Sequence, residues 1–311
     1  MTALIPHLLD VRPEVVDALR VRRPVVALES TLIAHGLPWP LNLETARAAE
    51  TEVRRQGAIP ATIAVLGGTP TVGVSNDELE LLAHGEGVRK AGRRDIAPAI
   101  TARATAATTV SGTLGLAYLA GIRVLATGGI GGVHPHSGPE WEPADISSDI
   151  LELSRVPVGV VCAGAKSILD LRATLEALET HSVPVVGYGT DNFPAFYLRG
   201  SGWQVSARVE SAEEAALLFN AHWQLGGAGV VLARPVDDEV ALDPDDFDAA
   251  LSKAKTQAAR GAIRGPALTP YLLARVAEHT SGRSLQANHA LVIANAGLAA
   301  RVATAYVAQG G

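Results

Sequence analysis

Cysteine, excess positive charge and long apolar runs are all scarce in this chain. A single cysteine among 311 residues, Cys162, excludes an internal disulfide and favours a reducing compartment. The first thirty residues lack the basic, then apolar, then small-residue order of a secretory signal. No apolar run approaches the roughly 18 uncharged residues of a membrane span. We therefore expect a cytoplasmic protein with no membrane partner.

Positive charge does not dominate the chain. Lysine and arginine number 26 against 32 acidic residues, and the formal net charge is −6 at pH 7. Proteins that hold nucleic acids by releasing counterions need clustered basic residues, so this balance argues against a nucleic-acid partner. An anionic small molecule would have to be held by local lysines, arginines and helix N-termini.

Short apolar runs of strand length recur along the chain, and amphipathic stretches separate most of them. This alternation predicts an α/β protein. No linker, charge block or internal repeat divides the sequence, so we expect one domain over residues 1–311. Residues 1–23 are expected to form a helical arm, and residues 236–311 a largely helical segment packed on the same domain. The predicted strands lie within residues 24–30, 59–66, 122–129, 156–164, 183–189 and 229–235.

One lysine follows directly on a buried-strand pattern. The stretch VPVGVVCAGAKSILD, residues 156–170, predicts a Val-rich strand, a tight turn and a helix that begins at Ser167. Lys166 would then lie at the carboxyl end of a strand, where open α/β sheets bind their ligands. An apolar surround or a neighbouring cation lowers the pKa of a lysine and frees its amine to attack a carbonyl. A lysine that simply reaches solvent would fit the same position.

A glycine-rich turn and a histidine follow another predicted strand. Residues 125–134, LATGGIGGVH, place four glycines within five residues, which lets backbone approach a ligand and can form an N–H concavity for an anion. A tight strand-to-loop turn explains the glycines equally well. His134 is a candidate acid, base or polar clamp, or a structural histidine.

Serine and aspartate cluster at a predicted helix start in residues 144–150, ADISSDI. Asp145 is placed to cap the helix, while Ser147, Ser148 and Asp149 surround its first turn, where free N–H groups favour a phosphate. Two carboxylates four residues apart also suit Mg²⁺ or Mn²⁺, with water completing the shell. Helix capping alone would equally account for these residue types.

A glutamate and a basic cluster complete the candidates. Glu29 ends a predicted apolar strand, so partial desolvation would raise its pKa toward the range useful for proton transfer. The alternative is a strand-end carboxylate paired with loop amides, Arg93 or Arg94. The cluster RKAGRRD, residues 89–95, suits a phosphate or a solvated surface. A strand-end lysine and glutamate beside a basic cluster favour Schiff-base chemistry on a phosphorylated sugar.

Nine segments, in consistent order from about residue 13 to 307, carry a family resemblance. They are ALESTLIAHGLPWP, GAIPATIAVLGG, RRDI, ATTVSGTL, AGIRVLATGGIGGVH, DISSDILEL, VVCAGAKSILDL, VPVVGYGTDNFPAFY and TPYLLARVAEHTSGRSLQANHALVIANA. Together they resemble the pseudouridine-5′-phosphate glycosidase family. The resemblance implies a three-layer α/β/α fold of the indigoidine synthase A-like kind, assembly as a homotrimer, and a lyase that acts reversibly on a small-molecule substrate. That lyase breaks the C1′–C5 bond of pseudouridine 5′-phosphate with water, giving uracil and ribose 5-phosphate.

The resemblance also implies two catalytic roles. Lys166 corresponds to the covalent nucleophile and Glu29 to the proton donor and acceptor. A C-glycosidic bond has no oxygen or nitrogen leaving atom to protonate, so the carboxylate pair of ordinary glycosidases is insufficient. An iminium formed between C1′ and an amine supplies the missing electron sink.

Further site residues carry over from the same resemblance. Asp145 matches the divalent-metal position, with Mn²⁺ the expected ion, although Asp149 stays open as the nearer ligand. The loop between His134 and Asp145, which contains Trp141, is a few residues longer than the family pattern. The expected substrate contacts are Lys90, the Val110 backbone, Ser147, Ser148, Asp149, His134 and Asn288.

Two other functions remain open on the sequence. A class I aldolase or another sugar-phosphate lyase would use the same lysine without a uracil leaving group, and indigoidine-pathway proteins belong with this alternative. A non-catalytic phosphosugar-binding protein would keep its function in a Lys166→Arg variant, which retains the charge but changes the nucleophile.

Overall fold

Strands and helices alternate along the computed structural model, which describes residues 7–135 and 145–311. The strands are β1 (Asp10–Val11), β2 (Val25–Leu28), β3 (Ile59–Leu66), β4 (Thr69–Val72), β5 (Arg89–Ala91), β6 (Ala106–Thr108), β7 (Val124–Ala126), β8 (Gly159–Cys162), β9 (Val185–Tyr188), β10 (Ala207–Val209) and β11 (Val230–Ala233). The helices are α1 (Pro13–Arg20), α2 (Leu41–Arg55), α3 (Asn76–His84), α4 (Ile96–Thr101), α5 (Val110–Ala120), α6 (Ser148–Leu153), α7 (Leu171–Thr180), α8 (Ala212–Gln224), α9 (Pro244–Arg260), α10 (Leu268–His279) and α11 (Arg283–Ala308).

The strands form a mixed sheet with a parallel centre. Its order is β1-β4-β3-β2-β7-β8-β11-β9-β10, and β6 joins β3 to β5. All neighbours from β3 to β10 in this order are parallel, whereas β4 and β6 run antiparallel to β3. Gly67 and Gly68 make the β3–β4 hairpin possible because both adopt positive φ, as a two-residue turn requires. The central strands therefore present their carboxyl ends at one edge.

Helices cover both faces of this sheet, which confirms the predicted α/β/α architecture. All four residues of β2 are buried, although neighbouring side chains of a strand point to opposite faces. On one side of the sheet α11 packs against β2, β7 and β8. It also packs against the helices α2 and α8. Helix α5 also contacts β2 and lies beside α6. Both faces of the central strands are thus closed to water.

Both ends of the chain join the main hydrophobic core. The buried side chains of Val15 and Ala18 on α1 belong to the same cluster as the central strands and as Leu298 and Val302 on α11. The N-terminal arm differs from its prediction because it contains strand β1 as well as a helix. Strand β1 forms there because it pairs with β4, which is distant in sequence.

Within the described residues, α11 alone is long and apolar enough to cross a membrane. The expectation that no run approaches this length was therefore wrong for this helix. The most apolar stretch of α11 is 61% buried inside the protein. Its apolar character is explained by its packing against α2, α8 and the sheet.

Candidate active site

A cavity of about 450 Å³ opens at the carboxyl ends of the central strands. It collects residues that lie far apart in the sequence, as expected where parallel strands end together. Asn288 is the predicted site residue that does not line it. The predicted residues that do are Glu29, Lys90, Val110, His134, Asp145, Ser147, Ser148, Asp149 and Lys166.

Lys166 lies in the loop that follows β8. Its backbone N–H donates to the Ile130 carbonyl at 3.2 Å, which ties the loop to the end of β7. The helix predicted to begin at Ser167 begins instead at Leu171, capped by the Asp170 side chain. The Ser167 hydroxyl donates to the Ala195 carbonyl at 2.7 Å, and this long-range contact holds the segment out of the helix. Lys166 thus projects from a fixed loop into the cavity.

Glu29 follows β2 and lines the same cavity as Lys166. The Thr127 hydroxyl at the end of β7 donates to the Glu29 Oε1 atom. Desolvation by burial raises the pKa of Glu29, although the Lys166 charge and the Thr127 hydrogen bond oppose that rise. The carboxyl therefore keeps its proton to a higher pH than an exposed glutamate.

Some residues of the basic cluster 89–95 line the cavity, whereas another forms an ion pair within the protein. Lys90 and Arg94 line the cavity. Arg93 instead pairs with the buried carboxylate of Glu152 at 3.3 Å, so it is not the partner of Glu29. Partial burial and the Lys166 charge lower the pKa of Lys90. Two positive groups thus line the cavity, of which Arg94 also lies 3.5 Å from the exposed carboxylate of Asp95.

Asp149 joins the first turn of α5 to the glycine-rich turn at the cavity wall. One carboxylate oxygen accepts the Ser111 N–H and the other accepts the Gly131 N–H, both at 2.9 Å. Ser147 caps α6, so the prediction that Asp145 caps this helix was wrong. The Ser147 N–H donates to the Gly132 carbonyl, which ties the start of α6 to the glycine-rich turn.

The Ser148 hydroxyl bonds the Ser111 hydroxyl at 2.8 Å. This contact joins α6 to the first turn of α5, which also holds Val110 at the cavity wall. Ser111 lies three residues after β6, a strand that the sequence analysis did not predict, and it was missed as well.

The glycine-rich turn is built for close packing rather than as an anion concavity. The N–H groups of Ile130, Gly131 and Val133 donate to Gly164, Asp149 and Thr174. A Cβ at Gly132 would lie 2.3 Å from the Thr174 hydroxyl. Tight packing thus explains this part of the motif.

His134 contributes to the cavity wall from the end of this turn. Its Nε2 atom bonds the Thr269 hydroxyl at 3.2 Å, while its Nδ1 atom is buried without a partner among the described residues. Burial lowers the pKa of His134, the Asp145 charge opposes this effect, and the Lys166 and Lys90 charges reinforce it. The imidazole is therefore neutral at neutral pH.

Asn288 lies away from the cavity on α11. Its side chain is 2% exposed and contacts the buried Tyr197 hydroxyl. The predicted long loop, including Trp141, lies outside the described residues.

A metal would find few protein ligands here. The ranges 7–135 and 145–311 contain no group of three or more His, Cys, Asp or Glu side chains arranged to hold an ion. Both oxygens of Asp149 already accept backbone N–H groups, which leaves Asp145 at the rim of the cavity. Mg²⁺ and similar ions are often held by one or two carboxylates plus water and substrate phosphate. Asp145 fits such a sparse site but not an all-protein cage.

Three further groups escaped the sequence analysis. Thr127 ends β7 just as Glu29 ends the neighbouring β2, so the strand-end rule itself would have found it. Thr269 lies 135 positions from His134 and carries no local signal of the contact. Asn295 on α11 donates to the Thr127 carbonyl at 2.9 Å, a contact that requires the fold.

Comparison with known proteins places the chain in one family. The family model for indigoidine synthase A-like protein matches residues 14–305. A pseudouridine-5′-phosphate glycosidase of Caldanaerobacter subterraneus is 50% identical over 95% of both chains. A protein of the same name from Escherichia coli K12 is 49% identical over 97% of this chain and 96% of its own.

Solved structures agree with this assignment. The prealnumycin C-glycosynthase AlnA, in complex with ribulose 5-phosphate, superposes with a TM-score of 0.88 at 40% identity over 98% of both chains. An indigoidine synthase A-like protein of Thermotoga maritima gives a TM-score of 0.86 at 36% identity over 96% of this chain and 97% of its own. These relatives confirm the predicted family, fold class and enzymatic nature. The chain belongs to the indigoidine synthase A-like family, together with the pseudouridine-5′-phosphate glycosidases.

Proposed function

We propose that the chain reversibly cleaves the C1′–C5 bond of pseudouridine 5′-phosphate with water, giving uracil and ribose 5-phosphate. The observation that carries this proposal is that Lys166 and a Glu29 with a raised pKa line one cavity, close enough for the Lys166 charge to act on Glu29. The names of the relatives support the substrate, and the ribulose 5-phosphate bound by the C-glycosynthase supports a pentose phosphate in this site.

The proposed reaction uses Lys166 as a covalent nucleophile. Opening of the ribose ring and bonding of the amine to C1′ place a nitrogen beside the bond to be broken. Its lone pair forms the C1′=N bond as the C1′–C5 electron pair passes to uracil C5. Glu29 donates a proton to that carbon. Water then hydrolyses the imine and releases ribose 5-phosphate from Lys166.

The remaining cavity residues bind and orient the substrate in this proposal. Lys90 and Arg94 are placed to hold the phosphate, together with the N–H group of Val110 at the start of α5. Ser147, Ser148 and Asp149 form the turn beside the first turn of α5, which Ser148 and Asp149 contact through Ser111. His134 lies nearby as a neutral hydrogen-bonding group, whereas Asn288 supports the wall from behind.

We also propose that Asp145 binds Mn²⁺ through one carboxylate. Such an ion would supply positive charge near the substrate. Paramagnetic resonance of Mn²⁺ titrated into the wild type and Asp145→Asn checks this without turnover. We expect binding that Asp145→Asn weakens, whereas equal binding by both proteins would exclude Asp145 as the ligand. Asp149→Asn tests the alternative ligand.

A homotrimer is the assembly we propose, supported by the resemblance and by exposed apolar side chains. Leu217 and Leu225, for example, are 61% and 89% exposed. Light scattering should give three times the 32.2 kDa of one chain. A cytoplasmic location and the absence of nucleic-acid and membrane partners stay predictions.

Trapping of the Schiff base tests the mechanism. The protein is incubated with ribose 5-phosphate, reduced with borohydride, and mapped by mass spectrometry. We expect a pentose-phosphate adduct on Lys166 that is absent from Lys166→Ala. A folded wild-type protein without this adduct would overturn the proposed mechanism.

The ribulose 5-phosphate in the structural neighbour favours a second candidate, a lyase or synthase for other sugar phosphates. Incubation with pseudouridine 5′-phosphate and, separately, with ketose phosphates distinguishes the two. Release of uracil supports the glycosidase. Turnover of ketose phosphates alone would support the second candidate.

A further inference from the structure

A second, much smaller cavity lies behind Glu29. Its volume is about 20 Å³, which is enough for one water molecule. Most of its wall is apolar, formed by side chains such as Leu32, Ile33 and Val292. The polar side chains in the wall are Glu29, Thr62 and Thr127. Glu29 thus faces the large cavity on one side and this water-sized space on the other.

Thr62 connects the small cavity to another carboxyl group. It lies on β3 beside β2, and its hydroxyl donates to Glu50 Oε1 on α2 at 2.6 Å. Thr62 is 1% exposed, whereas Glu50 is only partly buried and reaches the protein surface. Burial raises the pKa of Glu50 despite the Thr62 hydrogen bond and the Arg54 charge. Glu50 is therefore a carboxyl group that holds a proton more readily than an exposed glutamate.

A route for protons through the small cavity matters once the substrate fills the large one. A nucleotide in the large cavity separates Glu29 from solvent on that side. In the proposed reaction Glu29 gives its proton to uracil C5 before water attacks the imine. The small cavity borders Glu29 as well, and its wall includes Ala46 and Ala49 of α2.

We propose that Glu50, the Thr62 hydroxyl and one water in the small cavity form a proton relay that serves Glu29. The inference rests on the proposed acid role of Glu29. A hydroxyl group and a water each donate one proton while accepting another, so both can pass a proton along. Glu50 gives its proton to Thr62, Thr62 to the water, and the water to the Glu29 carboxylate. Glu50 regains a proton from solvent.

The relay also runs in the other direction. Hydrolysis of the imine releases a proton, which Glu29 accepts and passes back to solvent along the same groups. Over the whole cycle the relay neither gains nor loses a proton.

Paired substitutions at Thr62 and α2 test the relay. Thr62→Val keeps the shape but removes the hydroxyl, whereas Thr62→Ser keeps the hydroxyl. Glu50→Gln removes the acid, whereas Glu44→Gln removes an exposed carboxylate from the same helix. The measured quantities are kcat, KM and the solvent isotope effect on kcat in D₂O, for variants with a wild-type circular dichroism spectrum.

We expect Thr62→Val and Glu50→Gln to lower kcat about tenfold with little change in KM. This is less than the roughly 10²- to 10⁴-fold that general acid–base catalysis contributes in total. The solvent isotope effect should rise because proton delivery limits the rate, and Thr62→Ser should restore the wild-type isotope effect. Wild-type kcat and isotope effect in Thr62→Val would overturn the relay, even though uracil release would still support the glycosidase.

A crystal structure of the full chain gives a readout that needs no turnover. An ordered water within hydrogen-bond distance of both Glu29 and Thr62 supports the relay. A dry cavity, at a resolution that shows other buried waters, would overturn it. Failure of the wild type to release uracil would instead overturn the proposed function.

Discussion

At the scale of single residues, Glu29 shows how burial and charge compete. Desolvation favours the protonated carboxyl, whereas Lys166 and the Thr127 hydroxyl favour the carboxylate, and desolvation is the larger effect. The position of Glu29 after an apolar strand made this balance predictable. Its partner Thr127 and the hydroxyl of Thr62 were not singled out, because a threonine in a β-rich run is ordinarily read as a strand former.

Glu29→Gln should lower activity and stabilise the fold. We expect kcat to fall by about 10²- to 10⁴-fold because the acid is lost. A carboxyl whose pKa is raised by folding contributes stability below its unfolded pKa of about 4.3 and loses that contribution as the pH rises through the folded value. Glutamine avoids this loss. Urea unfolding should therefore show a stability gain at pH 8 that disappears at pH 4.

Glu86→Gln, an exposed substitution, is the control and should leave both quantities near the wild type. A Glu29→Gln protein that is less stable than the wild type at pH 8 would contradict the burial argument.

At the scale of elements, strands within long apolar runs were predicted well, whereas short strands outside such runs were not predicted. Strand β3 agrees with its predicted run, and β2, β7, β8, β9 and β11 lie inside theirs. Strands β5, β6 and β10 have three residues each and little apolar periodicity. They form because a neighbouring strand offers its hydrogen bonds, which is a tertiary effect. Residues 167–170 were predicted as the start of a helix but precede it, because the Ser167 hydroxyl bonds the distant Ala195 carbonyl.

Gly164→Ala should disrupt the turn that presents Lys166. Gly164 has φ of +78°, and a Cβ there would lie 1.8 Å from the Pro194 carbonyl oxygen. The left-handed conformation alone costs an alanine about 1–2 kcal/mol, and the clash adds to it. We expect a larger loss of unfolding free energy than that, together with loss of the Lys166 adduct.

Gly189→Ala is the matched control, since Gly189 has φ of +66° but nothing within 4 Å of the added Cβ. Equal destabilisation by the two substitutions in urea unfolding would show that the contact with Pro194 is unimportant.

At the scale of the whole molecule, the C-terminal helix α11 contacts a residue that lies against Glu29. Asn295 is fully buried on α11, and its side chain donates to the carbonyl oxygens of Thr127 and Gly128. Thr127 in turn holds Glu29. The fold thereby links residue 295 to residue 29.

Asn295→Leu should weaken both stability and catalysis. It leaves the Thr127 carbonyl without that donor, and an unsatisfied buried group costs about 1–3 kcal/mol. The Gly128 carbonyl keeps the Ala163 N–H as a donor. We expect lower unfolding free energy by urea titration and a fall in kcat, because Thr127 no longer sits firmly against Glu29. The surface substitution Asn76→Ala should stay within about 0.5 kcal/mol of the wild type. Unchanged kcat in a folded Asn295→Leu protein would show that the contact of α11 with Thr127 does not affect the site.

The amino-acid sequence by itself determined the α/β class, the parallel strands at the centre, and the strand-end positions of Lys166 and Glu29. These features depend on local apolar periodicity and on the rule that parallel strands end at one edge. Only the tertiary structure decided that Thr127, Thr269 and Asn295 contact the site, that Asn288 does not line it, and that Thr62 joins Glu29 to Glu50 through a small cavity. Such contacts join positions up to 168 residues apart, and they exist only once the strands have paired and the helices have packed.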